Sequence, residues 1–200
     1  MEPPLEQYVD ALKEIGSIGI GNAVTALAHF LSIKVNITVP KAMFVPIEGI
    51  FDVIGNVEAP AAAVVQRVEG DLSGTLMFFF PKQNALELVT RLLEAPPGSI
   101  QEIDEMGQSV LMEVGNILTG SFLTAISGMT RLTIVPAVPM FTFDMLGSII
   151  SSSLLCTGMV EDIVLLIETE IFAEEHLVSG DFAFFFDVGS LGTLFKRLGL

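Results

Sequence analysis

Glu113 and Asn116 stand three residues apart in a stretch that reads as helix, so a carboxylate and a carboxamide lie side by side on one flank. The amide is neutral and cannot serve as a strong base. It can hold a water through one donor and one acceptor. Ser109 falls one turn before Glu113 and Gly120 one turn after Asn116, which completes a stripe at i, i+4, i+7 and i+11. A glycine there leaves the helix surface bare where a partner can approach closely. Leu111, Val114, Leu118, Phe122 and Ala125 fall roughly opposite, and this apolar side must face the rest of the fold. Glu113 and Asn116 are then expected together on the solvent side. Alone, that is what any amphipathic helix exposes.

Duplication gives the stripe more weight. Sliding the sequence against itself by 99 positions aligns Glu14 with Glu113, Gly16 with Gly115, Gly21 with Gly120, Thr25 with Thr124 and Pro40 with Pro139. The first copy of the stripe reads Asp10, Glu14, Ser17 and Gly21, and in each copy 22 residues separate the third stripe position from the proline. Helical glycines cost roughly 0.5–1 kcal/mol each relative to alanine, so Gly16, Gly19, Gly21, Gly115 and Gly120 call for a reason. Close helix packing supplies one for Gly16 and Gly115. Further on, Gly70-Asp71 is matched to Gly180-Asp181 and the run Phe78-Phe79-Phe80 to Phe184-Phe185-Phe186, which places an insertion in the second half.

The elements that must position these residues follow the same duplication. Helices are predicted over about 5–31 and 101–129, with closing helices at 82–94 and 191–198. Strands are predicted over 34–39, 42–47, 62–67 and 72–80 in the first half, and over 132–135, 140–143, 160–171 and 181–188 in the second. Ala95-Pro96-Pro97-Gly98-Ser99 is the one linker. The expected fold class is α/β (α+β), a single domain over residues 1–200. Its pseudo-symmetric halves, 1–95 and 100–200, share one largely buried sheet with the two long helices on one face.

Composition narrows the function classes. Nine Lys and Arg against 24 Asp and Glu give a net charge of −15, a field that repels phosphate backbones and anionic lipid headgroups. Nucleic acid is not expected as a partner. Apolar residues make up 51% and mean hydropathy is +0.67, yet the uncharged run 114–130 is shorter and more polar than a spanning helix, and no membrane insertion is expected. The opening MEPPLEQYVD lacks a cationic segment before an apolar one, so no secretory signal is expected. The single cysteine, Cys156, has no internal partner and fits a reducing, cytoplasmic setting.

The pattern Ser109-xxx-Glu113-xx-Asn116 with Pro139, and its first copy Asp10-xxx-Glu14-xx-Ser17 with Pro40, resembles the signature of the CheC/CheX/FliY family of chemotaxis phosphatases. The resemblance spans both halves, and length points to the CheC branch, since a CheX-like chain is expected to be shorter with one motif and a FliY-like one to carry extra flanking regions. It implies dephosphorylation of the aspartyl phosphate of the response regulator CheY. Glu113 would engage a lysine beside the phosphorylation site and Asn116 would position the attacking water. No cofactor of its own is implied, since the phosphorylated regulator carries the Mg²⁺; phosphoryl transfer needs chiefly positioning and charge stabilisation. Ser17 stands where the family has asparagine, so the first site is expected to be impaired, although Glu14 still offers a carboxylate. The competing expectation is an interaction module that binds CheY, the deamidase CheD, or both, with little turnover.

Other features carry less. Gly19-Ile20-Gly21 follows no strand and lacks the third glycine of a dinucleotide loop. His29 and His176 have no metal-spaced partners, and Ser151 to Ser153 have no nucleophile-elbow context. Glu168, Glu170, Glu174 and Glu175 read as a solvated acidic segment.

Overall fold

The computed structural model describes residues 5–31, 35–157, 160–173 and 176–200. The chain runs through α1 (Leu5–Leu31), β1 (Val35–Pro46), a 3-10 turn (Ile47–Gly49), α2 (Ile50–Ile54), β2 (Pro60–Gly70), β3 (Gly74–Pro81) and α3 (Lys82–Leu92). The second half follows with α4 (Glu105–Thr130), β4 (Ile134–Pro136), β5 (Met140–Met145), α5 (Leu146–Thr157), β6 (Val160–Ala173), β7 (His176–Asp187) and α6 (Ser190–Leu198). All pairings are antiparallel, in one seven-stranded sheet of order β1-β6-β7-β3-β2-β4 with β5 also on β2.

The phenylalanine runs explain why the halves share this sheet. They fall on β3 and β7, the neighbouring strands where the halves meet, with Phe78 opposite Phe182. Because successive side chains alternate, Phe78, Phe80, Phe182, Phe184 and Phe186 face the layer that holds α1, α3, α4 and α6, while Phe79 and Phe185 face α2 and α5. Both faces are therefore covered, as the near-continuous apolar strands require. Burial of each ring is worth roughly 1.5–3 kcal/mol. The edge-to-face pair Phe78–Phe80, with ring centroids 4.5 Å apart, adds directionality.

The two long helices lie on one face, as expected, and meet where a side chain is missing. A Cβ on Gly19 of α1 would come within 3.0 Å of the Phe122 Cα of α4. Below this contact Gly16, Gly19 and Ala23 of α1 and Leu118 and Phe122 of α4 wall a small apolar cavity of about 40 Å³ over the sheet. Gly115, in contrast, presses on the sheet, since a Cβ there would stand 2.7 Å from Val64. Its counterpart Gly16 is buried at the cavity, where a Cβ would meet nothing within 4 Å, so close packing does not account for Gly16. Among the described residues α4 alone is long and apolar enough to cross a membrane, and its apolar side packs on the sheet.

Several expected boundaries are corrected. The strands predicted at 34–39 and 42–47 are one strand, β1, with a register shift between Thr38 and Lys41. Helix α4 begins at Glu105 and not at 101, because the Asp104 side chain accepts a hydrogen bond from the Gly107 N–H at 2.9 Å and caps it. Helices α2 and α5 were not expected; Ile50, Leu146, Ile149 and Ile150 cover the second face of the sheet. The later half of the repeat is also misaligned. Gly70 and Asp71 lie at the turn that closes β2 and β3, where Gly70 takes φ +114° against Thr133, whereas Gly180 and Asp181 sit inside β7. Strand register gives the true match: Met140 opposes Val65 and Lys41 opposes Glu168, so Glu168 answers Val65 and Thr169 answers Gln66.

On β7, Asp181 is directly opposite Glu168, whose other neighbour is Lys41 Nζ at 3.6 Å. Burial first, then the negative charge of Glu168, pushes its carboxyl up to about 6. A carboxyl that holds its proton more tightly when folded contributes stability that is fully present below about pH 4. This contribution falls between about pH 4 and 6 and is lost above that window. Asp181→Asn should remove this slope and stabilise the protein at pH 7 by roughly 1–2 kcal/mol, allowing for partial solvent screening. Urea midpoints at pH 4.5 and 7 for both proteins check it; parallel pH dependence would refute it.

Candidate active site on the second long helix

The buried side of α4 is the one expected, with Leu111, Val114, Leu118, Phe122 and Ala125 between 1% and 8% exposed. Ser109 is exposed on the opposite flank, and its Oγ donates to the Glu105 carbonyl at 2.9 Å, closing on its own helix. Glu113, Asn116 and Gly120 are half-buried and not fully in solvent. The reason is Gly115. Its missing side chain lets α4 settle onto Val64 of β2, and that brings Asn116 over the next strand position but one, Gln66.

Gln66 is 2% exposed, and its Nε2 donates to Asn116 Oδ1 at 3.2 Å and to the Ala137 carbonyl at 2.6 Å. The Ala137 N–H in turn donates to the Arg67 carbonyl at 2.8 Å. Residues 137–139 link β4 to β5, so one buried amide ties Asn116 to the loop that carries Pro139. This accounts for the spacing between Asn116 and Pro139: it is the chain needed to finish the helix, lay β4 on β2 and return. Val138 in the same loop is 83% exposed. One turn beyond Asn116, a Cβ on Gly120 would meet nothing within 4 Å, and a groove of about 430 Å³ opens among Gly120, Gly128, Ile134 and Pro136. Thr124 Oγ1 donates to the Gly120 carbonyl at 2.7 Å.

The sheet beneath is fixed on its other face by Arg67 and Asp187. The guanidinium Nη1 donates to Asp187 Oδ1 at 2.8 Å and Nη2 to Oδ2, a two-armed pair between β2 and β7. Burial alone would raise the Asp187 carboxyl, but hydrogen bonds from Arg67 and Ser73 and the charge of Arg67 outweigh it and hold the group below its ordinary value.

On α1, Asp10 and Glu14 are exposed, and Asp10 Oδ1 lies 3.8 Å from Lys13 Nζ. Gly21 is open, and Thr25 Oγ1 donates to its carbonyl at 3.2 Å, as Thr124 does to Gly120. Ser17 is in the helix and Pro40 in β1 near its register shift, but their side chains lie outside the described residues, as do those of His29, Cys156 and His176. The structure thus brings Glu113, Asn116, Gly120 and the Pro139 loop together in the second half. Ser109 shares their stripe but turns to its own backbone.

Gln66 escaped the reading of the sequence. Its signal was an uncharged polar residue inside the run Ala-Ala-Ala-Val-Val-Gln, at a position whose neighbours by alternation, Val64 and Val68, are core residues.

Known proteins resemble the chain across both of these halves. The CheC-like family matches residues 9–43 and 106–142, the segments that hold both stripes and both prolines. The chain is 35% identical over 173 residues to the CheY-P phosphatase CheC of Bacillus subtilis (strain 168), covering 86% of this chain and 83% of that one. In fold it is similar to the X-ray crystal structure of Thermotoga maritima FliY, with a TM-score of 0.78, 21% identity and coverage of 100% and 98%. A chain of the CheX–CheY–BeF3–Mg²⁺ complex from Borrelia burgdorferi is similar at a TM-score of 0.55, with 17% identity and coverage of 86% and 96%. This protein belongs to the CheC-like family.

Proposed function

We propose that the protein is a phosphatase that accelerates hydrolysis of the aspartyl phosphate of a CheY-type response regulator, chiefly through Glu113 and Asn116. The observation that carries this reading is the Asn116 carboxamide, held at its carbonyl by Gln66 and set one turn from Glu113 on the open flank of α4. Identity to the B. subtilis phosphatase over most of the chain supports it. In the reaction a water oxygen attacks phosphorus, the regulator's aspartate carboxylate leaves, and the water's proton passes to solvent or the departing phosphate. Glu113 takes a lysine ammonium of the regulator, which docks Asn116 in line with the phosphorus. Asn116 orders the water and forms no bond to the phosphoryl group, a contribution of position alone. The Mg²⁺ comes with the regulator, so this chain needs no metal of its own in this scheme.

The first site contributes little. A serine at position 17 reaches less far than an asparagine and lacks its two-armed geometry. Ser17→Asn is expected to raise the rate by no more than about twofold, since a repaired site at best equals the working one. A several-fold gain would show that the second site is not the main one. The reading as a whole is tested by phosphate release from a phosphorylated regulator with wild type and Asn116→Ala; equal rates overturn it.

A further inference from the structure

Burying an amide in an apolar strand is costly unless its polar atoms are paired, and Gln66 is paired at one end only. Both Nε2 hydrogens are spent, on Asn116 Oδ1 and on the Ala137 carbonyl, while Oε1 is buried with no partner among the described residues. An orphaned carbonyl in the core lowers stability, and an apolar side chain of similar shape would avoid it. Stability alone therefore does not explain a glutamine here. Its donor end does.

A free carboxamide can present either its oxygen or its nitrogen to the same neighbour. The Ala137 carbonyl takes one Nε2 hydrogen and so fixes which end of Gln66 faces the helix; opposite the remaining N–H donor Asn116 can present only its oxygen, so Gln66 fixes which way Asn116 faces. One Oδ1 lone pair is used inward, and the other, with the Nδ2 hydrogens, is left for a water. The first half lacks the arrangement. There the register counterpart of Gln66 is Thr169, 5% exposed, on the cavity wall beside Gly16 and Gly19, and the helix carries Ser17 in place of asparagine. Amide on the helix goes with amide on the strand, and hydroxyl with hydroxyl.

We propose that Gln66 is a positioning residue of the site: its Nε2 orients the Asn116 carboxamide toward the attacking water and locks the same helical turn to the Pro139 loop. The role in turnover rests on the phosphatase reading of Asn116; the orientation of the amide does not. Gln66→Leu removes both donors, and Gln66→Met does so with an unbranched chain should leucine fail to fold.

Phosphate release from the phosphorylated regulator should show kcat lower by about tenfold with KM within about twofold of wild type. In protein labelled with ¹⁵N-asparagine, the side-chain amide signal that disappears in Asn116→Ala should move toward the position of a free amide in both Gln66 variants. A merely structural role would lower the unfolding midpoint and leave kcat and that signal in place. Folded variants with kcat and the amide signal both unchanged overturn the proposal while the phosphatase reading stands. If wild type itself gives no acceleration, the phosphatase reading falls, and the amide signal still decides whether Gln66 holds Asn116.

Discussion

Replacing Asn116 with alanine should cut the acceleration of regulator dephosphorylation by about a hundredfold or more, the usual cost of losing one positioned group at a reacting centre. The side chain that is removed is half-buried and tied to Gln66, not to the body of the helix, so the fold should survive and the loss should fall on kcat. Glu113→Ala provides the contrast. A carboxylate that docks a lysine contributes to binding, so its loss should raise KM more than it lowers kcat. Asn116→Asp should be no better than alanine, because a carboxylate cannot donate to the water and repels the phosphoryl oxygens. Steady-state phosphate release over a range of phosphorylated regulator concentrations separates these outcomes. Wild-type turnover in Asn116→Ala would remove the basis for this site.

Phe122→Ala should destabilise the fold by about 3–5 kcal/mol, a large share of the roughly 5–15 kcal/mol available to a domain. The ring is 6% exposed and meets Phe182 of the sheet edge-on at 5.0 Å between centroids. Its own backbone is the surface on which Gly19 rests. Truncation would join the space of the ring to the existing cavity and leave α1, α4 and β7 without their common contact. The helix contact is close-packed and cannot collapse into that space without moving α1. Urea unfolding checks the value: the midpoint should fall with an unchanged slope, and a loss under about 1 kcal/mol would contradict the packing described.

Much of this architecture could be read from the chain. The apolar side of α4 was legible because one helical period places Leu111, Val114, Leu118 and Phe122 together, and each is buried. The repeat identified both stripes because duplication preserves spacing. What failed to show had physical reasons. Helix α5 has the segment Ile-Ile-Ser-Ser-Ser-Leu-Leu, whose serines resemble a loop until one sees that Ile149 and Ile150 seal the second face of the sheet. Gly70-Asp71 and Gly180-Asp181 are identical as letters yet differ in place, because hydrogen-bond register and not residue identity defines equivalence in a hairpin. Gln66 lies 50 residues from Asn116 and is joined to it only by the packing of a glycine on a valine, a relation that no local pattern encodes.

The contact between the long helices has a consequence for the ancestry of the chain. Across the pseudo-dyad Gly19 corresponds to Leu118, and Ala23 to Phe122, so α1 supplies hollows where α4 supplies bulk. Two copies of the later half would collide along this seam, and two copies of the earlier half would leave a void. Along this seam the halves are thus complementary to each other and not each to itself, an asymmetry that the duplicated sequence has acquired where the two long helices touch.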